Sequence, residues 1–218
     1  MQRLLSALDR MNRAHPWSHN DAYAGLVLHQ ARKTQRGGGS SALDVGCGTG
    51  RLLRRLAECF PQAVGIEADA VTAGLAAAAV ATFPAATVVN ARFPVADGRR
   101  YDFVSMVAVL HHLPLADGIA AVREVVAPGG RLVIVGVYRE ARADALFSVI
   151  SLLLNPLIGM ILHPRPADRT LEQLRAPAMP ASEPYREIRS ALRAALPGVR
   201  VRRGFFWRYV ATWQAPRT

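Results

Sequence analysis

Three glycines at alternate positions, Gly46, Gly48 and Gly50, stand between the apolar run Ala42-Leu43-Asp44-Val45 and the charged run Arg51-Leu52-Leu53-Arg54-Arg55-Leu56. Residues without a Cβ let the backbone approach a ligand closely and accept positive φ, so a strand that enters this turn and leaves as a helix brings amide groups up to something small and polar. Two further groups could do chemistry. Glu67 closes a second apolar run, "AVGIE", where a carboxylate can accept hydrogen bonds from a bound ligand. The doublet His111-His112 in "VLHHLP" supplies imidazoles, whose ordinary pKa suits taking a proton from a weak acid near neutral pH. Histidines at a strand end also serve simply to satisfy backbone groups, and both roles stay open.

Holding such groups together takes alternating strands and helices. Short apolar runs at 42–45, 63–67, 87–90, 101–109 and 131–137 read as buried strands, and helical spacing recurs at about 51–60, 70–82 and 116–127. A leading helix runs from about Asp21 to Gln35 with Asn20 or Asp21 as its cap, and a further helix spans Pro184 to Leu196. This alternation implies right-handed crossovers and a parallel sheet covered on both faces. The tail departs from it: "VRVRR" and "RYVATWQ" are joined by "GFFW", too short for a helical crossover, so these strands pair as an antiparallel hairpin. The expected fold is α/β, a Rossmann-like seven-stranded mostly parallel sheet with an antiparallel terminal hairpin strand.

The glycine turn does not match the dinucleotide fingerprint G-x-G-x-x-G, because the third glycine comes one residue early and Arg51 stands where that fingerprint needs glycine. A dehydrogenase, which would bind a nicotinamide dinucleotide, is weakened accordingly. With Asp44 at the strand end, "VGCGTG" resembles the first motif of class I S-adenosylmethionine-dependent methyltransferases. "AVGIEAD", "VVNARFP", "YDFVSMVAVLHHL" and "LVIVGV" after "PGG" resemble the later strand motifs of that family in order and spacing, and the terminal hairpin is similar to its inserted antiparallel strand.

The resemblance implies S-adenosylmethionine as cofactor. It places Asp44, Gly46, Cys47, Gly48 and Gly50 on the cofactor, with Asp44 orienting the loop or the methionine portion and Gly46 and Gly48 giving it backbone access, Glu67 with Ala68 at the ribose, Asn90 with Ala91 at the adenine, and Val107 at the fourth strand. Asn90 departs from the aspartate usual in the family, and an amide oxygen accepts more weakly than a carboxylate. Tyr23, in a leading segment that folds over the cofactor in similar families, would touch the methionine end, and His111 or His112 would be the base. The reaction implied is in-line transfer of a methyl group, and if the apolar stretch 145–162 walls the pocket the acceptor is small and hydrophobic or aromatic.

Composition bounds the alternatives. The chain of 218 residues is 51% hydrophobic and 20% charged, a globular composition. It divides into a helical lid segment, 1–40, and a catalytic domain, 41–218, with an apolar insertion at about 142–180. Within that insertion Ala145 to Leu162 carries no charge, but Asn155-Pro156 interrupts it, so a pocket wall or lid is expected rather than a membrane span. The formal charge is +11, and the last 33 residues hold eight arginines against Glu187. That balance leaves open an RNA methyltransferase or a peripheral membrane contact, though a solvated face explains it as well. A non-catalytic S-adenosylmethionine binder is the remaining alternative. Cys47 and Cys59 lack metal-ligand spacing and are too few for a disulfide framework, and no signal segment is seen, which fits a cytoplasmic monomer or homodimer.

Overall fold

The computed structural model describes residues 20–139 and 181–217. The leading segment with His15, Trp17 and His19, and the apolar stretch 145–162, lie outside them. In chain order the elements are α1 (Asp21–Arg36), β1 (Ser41–Val45), α2 (Arg51–Ala57), β2 (Gln62–Glu67), α3 (Ala70–Val80), β3 (Ala86–Asn90) and β4 (Tyr101–Val107). After a single 3-10 turn at Leu110–His112 come α4 (Leu115–Glu124), β5 (Val126–Val137), α5 (Tyr185–Ala195), β6 (Arg200–Arg203) and β7 (Arg208–Gln214).

The strands form one seven-stranded sheet in the order β3-β2-β1-β4-β5-β7-β6. All neighbours run parallel except β7, which is antiparallel to both β5 and β6, so the hairpin expected from the tail is present. Side chains alternate across the sheet. In β5, Leu132 and Ile134 join the core beneath α4 and α5 with Ile119, Val122, Ile188 and Leu192. Val133 and Val135 join the opposite core with Val27, Leu28 and Ala31 of α1 and Leu53 and Leu56 of α2. A period of two, with both faces buried, is what a doubly covered parallel sheet requires. No described helix is long and apolar enough to cross a membrane.

Element ends depart from the sequence reading in several places, α2 stopping at Ala57 and α3 at Val80 among them. β4 ends at Val107 rather than Val109, because Ala108 turns into the left-handed region at φ 56° while its N–H donates to Val135 O at 2.7 Å. α4 stops at Glu124 instead of running to Ala127: Tyr101 N–H donates to Val125 O at 2.8 Å, and Val126 pairs with Tyr101, so the chain joins the sheet before Pro128-Gly129-Gly130. Asn20 precedes α1 in helical conformation without a side-chain capping bond, and its Oδ1 accepts from Arg208 Nε at 3.3 Å.

Candidate active site

Strand order reverses between β1 and β4, and in open α/β sheets ligands sit outside the carboxyl ends at such a reversal. A cleft of about 830 Å³ opens there, within the rough 300–1,000 Å³ range of ligand pockets. Gly46, Gly48, Glu67, Ala68 and Ala91 line it on the β1–β3 side, Val107 and Ala108 lie at its centre, and His111, His112, Val137, Asn20 and Arg208 line the far side.

Each glycine of the turn answers a different constraint. Gly46 has φ 68°, and a Cβ there would collide with the Val109 side chain. Gly50, at φ 80° before the first residue of α2, lies against the backbone of Ala76, where a Cβ would come within 3.1 Å. That contact needs a small residue at Ala76 of α3, which is buried with Ala73 and Val80 while Asp69 caps the helix by accepting from Thr72 N–H at 2.8 Å. Gly48, at φ 54°, faces open space, with no atom within 4 Å of the site a Cβ would take. It is the one of the three that leaves room on the cleft.

The amides of the turn do not reach out as the sequence suggested. Gly46 N–H and Cys47 N–H both donate to Ile66 O, at 2.8 and 3.0 Å, and Gly50 N–H donates to Cys47 O at 3.0 Å. Gly48 N–H donates to Glu67 Oε2 at 3.0 Å, while the other carboxylate oxygen, Oε1, accepts from Asp69 N–H at 3.0 Å. Turn and carboxylate thus brace each other, and what the turn offers a ligand is space beside a fixed negative charge. Asn90 completes the brace: its Nδ2 donates to Glu67 O at 2.9 Å and to Ala68 O at 3.3 Å. An aspartate could make neither bond, which gives the departure from the family pattern a structural reason.

Asp44 lies beneath the turn, 2% exposed, accepting from Ser105 Oγ at 2.8 Å across the β1–β4 pair. Burial pushes its carboxyl up to about 7, against the Ser105 hydrogen bond and with the help of the Glu67 charge. The Cys47 thiol is pushed up to about 12 by burial first, then by the charges of Asp44 and Glu67, so it is a packing group and no nucleophile. Asp44, Cys47, Gly50 and Asn90 therefore support the cleft without lining it. Tyr23 stands apart from it. Its hydroxyl donates to Phe205 O at 2.8 Å, burial raises its pKa to about 12, and it ties α1 to the β6–β7 turn.

His111 and His112 follow the Ala108 turn with ring centroids 4.1 Å apart. His111 is half-buried, and burial, then the neighbouring His112 and Arg208 side chains, depress its pKa to about 4, with Glu183 opposing. An imidazole so depressed is neutral at pH 7 and a weak base. Its Nδ1 is buried with no hydrogen-bond partner among the described residues. Sequence reasoning missed Asn20, read as a helix cap, and Arg208, one arginine among eight in a basic tail. Six of those eight, Arg186, Arg189, Arg193, Arg200, Arg202 and Arg217, are exposed, and Arg203 lies over the ring of Tyr185 at 4.5 Å.

A methyltransferase domain profile matches residues 16–176, more than half of the chain. The chain belongs to this methyltransferase family. S-adenosylmethionine is the family's methyl donor. An uncharacterized methyltransferase of Mycobacterium tuberculosis, Rv0089, is 29% identical over 210 residues, covering 92% of this chain and 98% of the relative. Among solved structures, the N-methyltransferase NodS from Bradyrhizobium japonicum in complex with S-adenosyl-L-homocysteine superposes with a TM-score of 0.59 at 17% identity, over 98% of both chains. The mitomycin 7-O-methyltransferase MmcR superposes with a TM-score of 0.52 at 17% identity, over 98% of this chain and 67% of its own. At these identities the likeness is one of fold, and a fold shared by an N- and an O-methyltransferase does not choose the acceptor atom.

Proposed function

We propose that this methyltransferase transfers the methyl group of S-adenosylmethionine to a small acceptor seated on the β4–β5–β7 side of the cleft. The observation that carries the proposal is the arrangement at Gly48 and Glu67: open space beside a braced carboxylate at the carboxyl rim of the sheet. The residues fit the donor. A carboxylate has about four acceptor sites, and Glu67 uses two on Gly48 and Asp69, leaving others for ribose hydroxyls. A carboxylate beside the glycine turn also disfavours the phosphates that a dinucleotide would bring there. Ala68, Ala91 and the braced Asn90 border the adenine position.

When bound, the donor supplies a methyl carbon already activated by sulfonium charge. What the protein adds is alignment and exclusion of water. Gly46 and Gly48 set the height of the donor above β1, and Val107 and Ala108 form the floor between donor and acceptor. Val109, Leu113 and Val137 give the acceptor side an apolar lining. His111 is too weak a base at neutral pH to draw a proton from a phenol, so a proton-bearing acceptor would turn to His112, the exposed member of the pair.

The scattering of the tail arginines over a helix face, a strand edge and the cleft favours a small acceptor over RNA. The test is an acceptor screen that follows release of S-adenosylhomocysteine. Turnover of a small molecule is the expected result. S-adenosylhomocysteine binding with no turnover on any acceptor would support a non-catalytic binder, and turnover on RNA alone would contradict the proposal.

A further inference from the structure

The far side of the cleft holds polar atoms that have no partner among the described residues. Arg208 opens β7 opposite Val137 on β5 and lines the cleft with His111 and Asn20. Its Nε donates to Asn20 Oδ1 at 3.3 Å, and among the described residues no carboxylate lies within ion-pair distance of its guanidinium. Four of the five guanidinium N–H donors thus have no partner there, beside the buried, unpartnered Nδ1 of His111. A half-buried cation without a counter-ion is unfavourable unless a ligand supplies the charge.

The backbone before Arg208 is also out of the ordinary. Phe206 and Trp207 have φ of 59° and 54°, a conformation that bulky residues rarely adopt. The turn is held by Tyr23 OH donating to Phe205 O, by Tyr138 N–H donating to Trp207 O at 3.4 Å and by Gly204 N–H donating to Arg208 O at 2.8 Å. Strain maintained by the surrounding structure next to a cleft residue points to a positioning demand.

We infer that Arg208 anchors an oxyanion carried by the methyl acceptor, with His111 Nδ1 beside it for a neighbouring polar atom, so that the acceptors are small organic acids. The inference rests on the transfer reading given above. Arg208 is assigned to the acceptor and not to the donor's own carboxylate by its place in the sheet. Four strand spacings separate β2, which carries Glu67, from β7, or ~19 Å at roughly 4.8 Å each. The reversal between β1 and β4 lies between them.

The test uses the full chain saturated with S-adenosylhomocysteine and ligand-observed NMR with small aryl and alkyl carboxylates and phosphate monoesters, each paired with its neutral amide or alcohol. Acidic members should bind in preference to their neutral partners, and the better of the two acid classes identifies the oxyanion. Arg208→Gln should weaken the acids by about tenfold or more, and Arg208→Lys by less, since it keeps the charge and loses the planar fork. S-adenosylhomocysteine affinity, which also reports that the variants are folded, should stay within about twofold, because the donor makes no charge-assisted bond to this side chain. Equal binding of acids and neutral partners, or no binding of any acid, overturns the inference. Loss of S-adenosylhomocysteine binding in Arg208→Gln alone would assign Arg208 to the donor and overturn it as well. Failure of S-adenosylhomocysteine to bind the wild-type chain, seen before any acid is added, would instead strike the transfer reading itself.

Discussion

The two sides of the cleft are built on opposite terms. On the β1–β3 side nearly every polar group already has a partner within the protein: Gly46 and Cys47 on Ile66, Gly48 and Asp69 on Glu67, and Asn90 on Glu67 and Ala68. On the β5–β7 side His111 Nδ1 has none among the described residues, and Arg208 has only Asn20. One side carries carboxylates, Glu67 with Asp44 beneath it, and the other carries the Arg208 cation. A group that binds the same ligand in every cycle gains from being fixed in advance, because the cost of ordering is met on folding. A group that selects an acceptor is left with open valences, because unpaired polar atoms discriminate strongly against molecules that cannot complete them. Hydrogen-bond saturation thus distinguishes the side proposed for the donor from the side proposed for the acceptor.

That contrast can be broken most severely at the turn. Gly46→Ala puts a side chain into Val109 at positive φ and should cost roughly 2 kcal/mol or more, seen as a lowered midpoint in urea unfolding. Next in size, Glu67→Ala leaves the Gly48 and Asp69 amides without their acceptor and removes the carboxylate proposed to hold the ribose. S-adenosylhomocysteine should bind about tenfold more weakly by calorimetry, with acceptor selectivity unchanged.

The two sides should also titrate in opposite senses. His111 has a folded pKa near 4, below its ordinary 6.5, so the unfolded chain binds the extra proton between those values. Its contribution to stability is present above about 6.5 and lost as pH falls toward 4. Asp44 has a folded pKa near 7, above its ordinary 3.8, so the folded chain binds the extra proton and stability is lost as pH rises from about 4 through 7. His111→Gln and Asp44→Asn should therefore flatten the profile of Tm against pH in opposite directions, and slopes of the same sign would contradict the assignment. Smallest of all, Arg189→Gln and Arg193→Gln on the exposed face of α5 should change stability by no more than about 0.5 kcal/mol and leave both ligands untouched.

The β1–β3 side of the cleft was legible in the sequence and most of the β5–β7 side was not, for physical reasons. Alternating glycines, an acid at a strand end and period-two apolar runs are local signals, and each maps onto one turn or one strand of the observed sheet. Two details of that side still escaped: the turn amides bond inward, and Asn90 acts as a donor to carbonyls, because both depend on how β2 packs beside β1 and β3. Arg208 had no local mark at all. It joins the cleft only because β7 inserts between β5 and β6 and because Phe206 and Trp207 take left-handed conformations that no glycine announces. Asn20 had the signature of a helix cap and serves a residue 188 positions away. Ala108 likewise turns the chain at φ 56° with a residue type that gives no warning.

The central claim is that the Gly48–Glu67 brace is the seat of the donor and that the Arg208 side is not. A crystal structure of the chain with S-adenosylhomocysteine tests it directly. The account predicts ribose hydroxyls on Glu67, the homocysteine chain over Gly46 and Gly48, and the sulfur turned toward Val107 with Arg208 beyond it and out of reach. A ligand held by Arg208, or a Glu67 still bonded only to Gly48 and Asp69 with the ligand elsewhere, would contradict it.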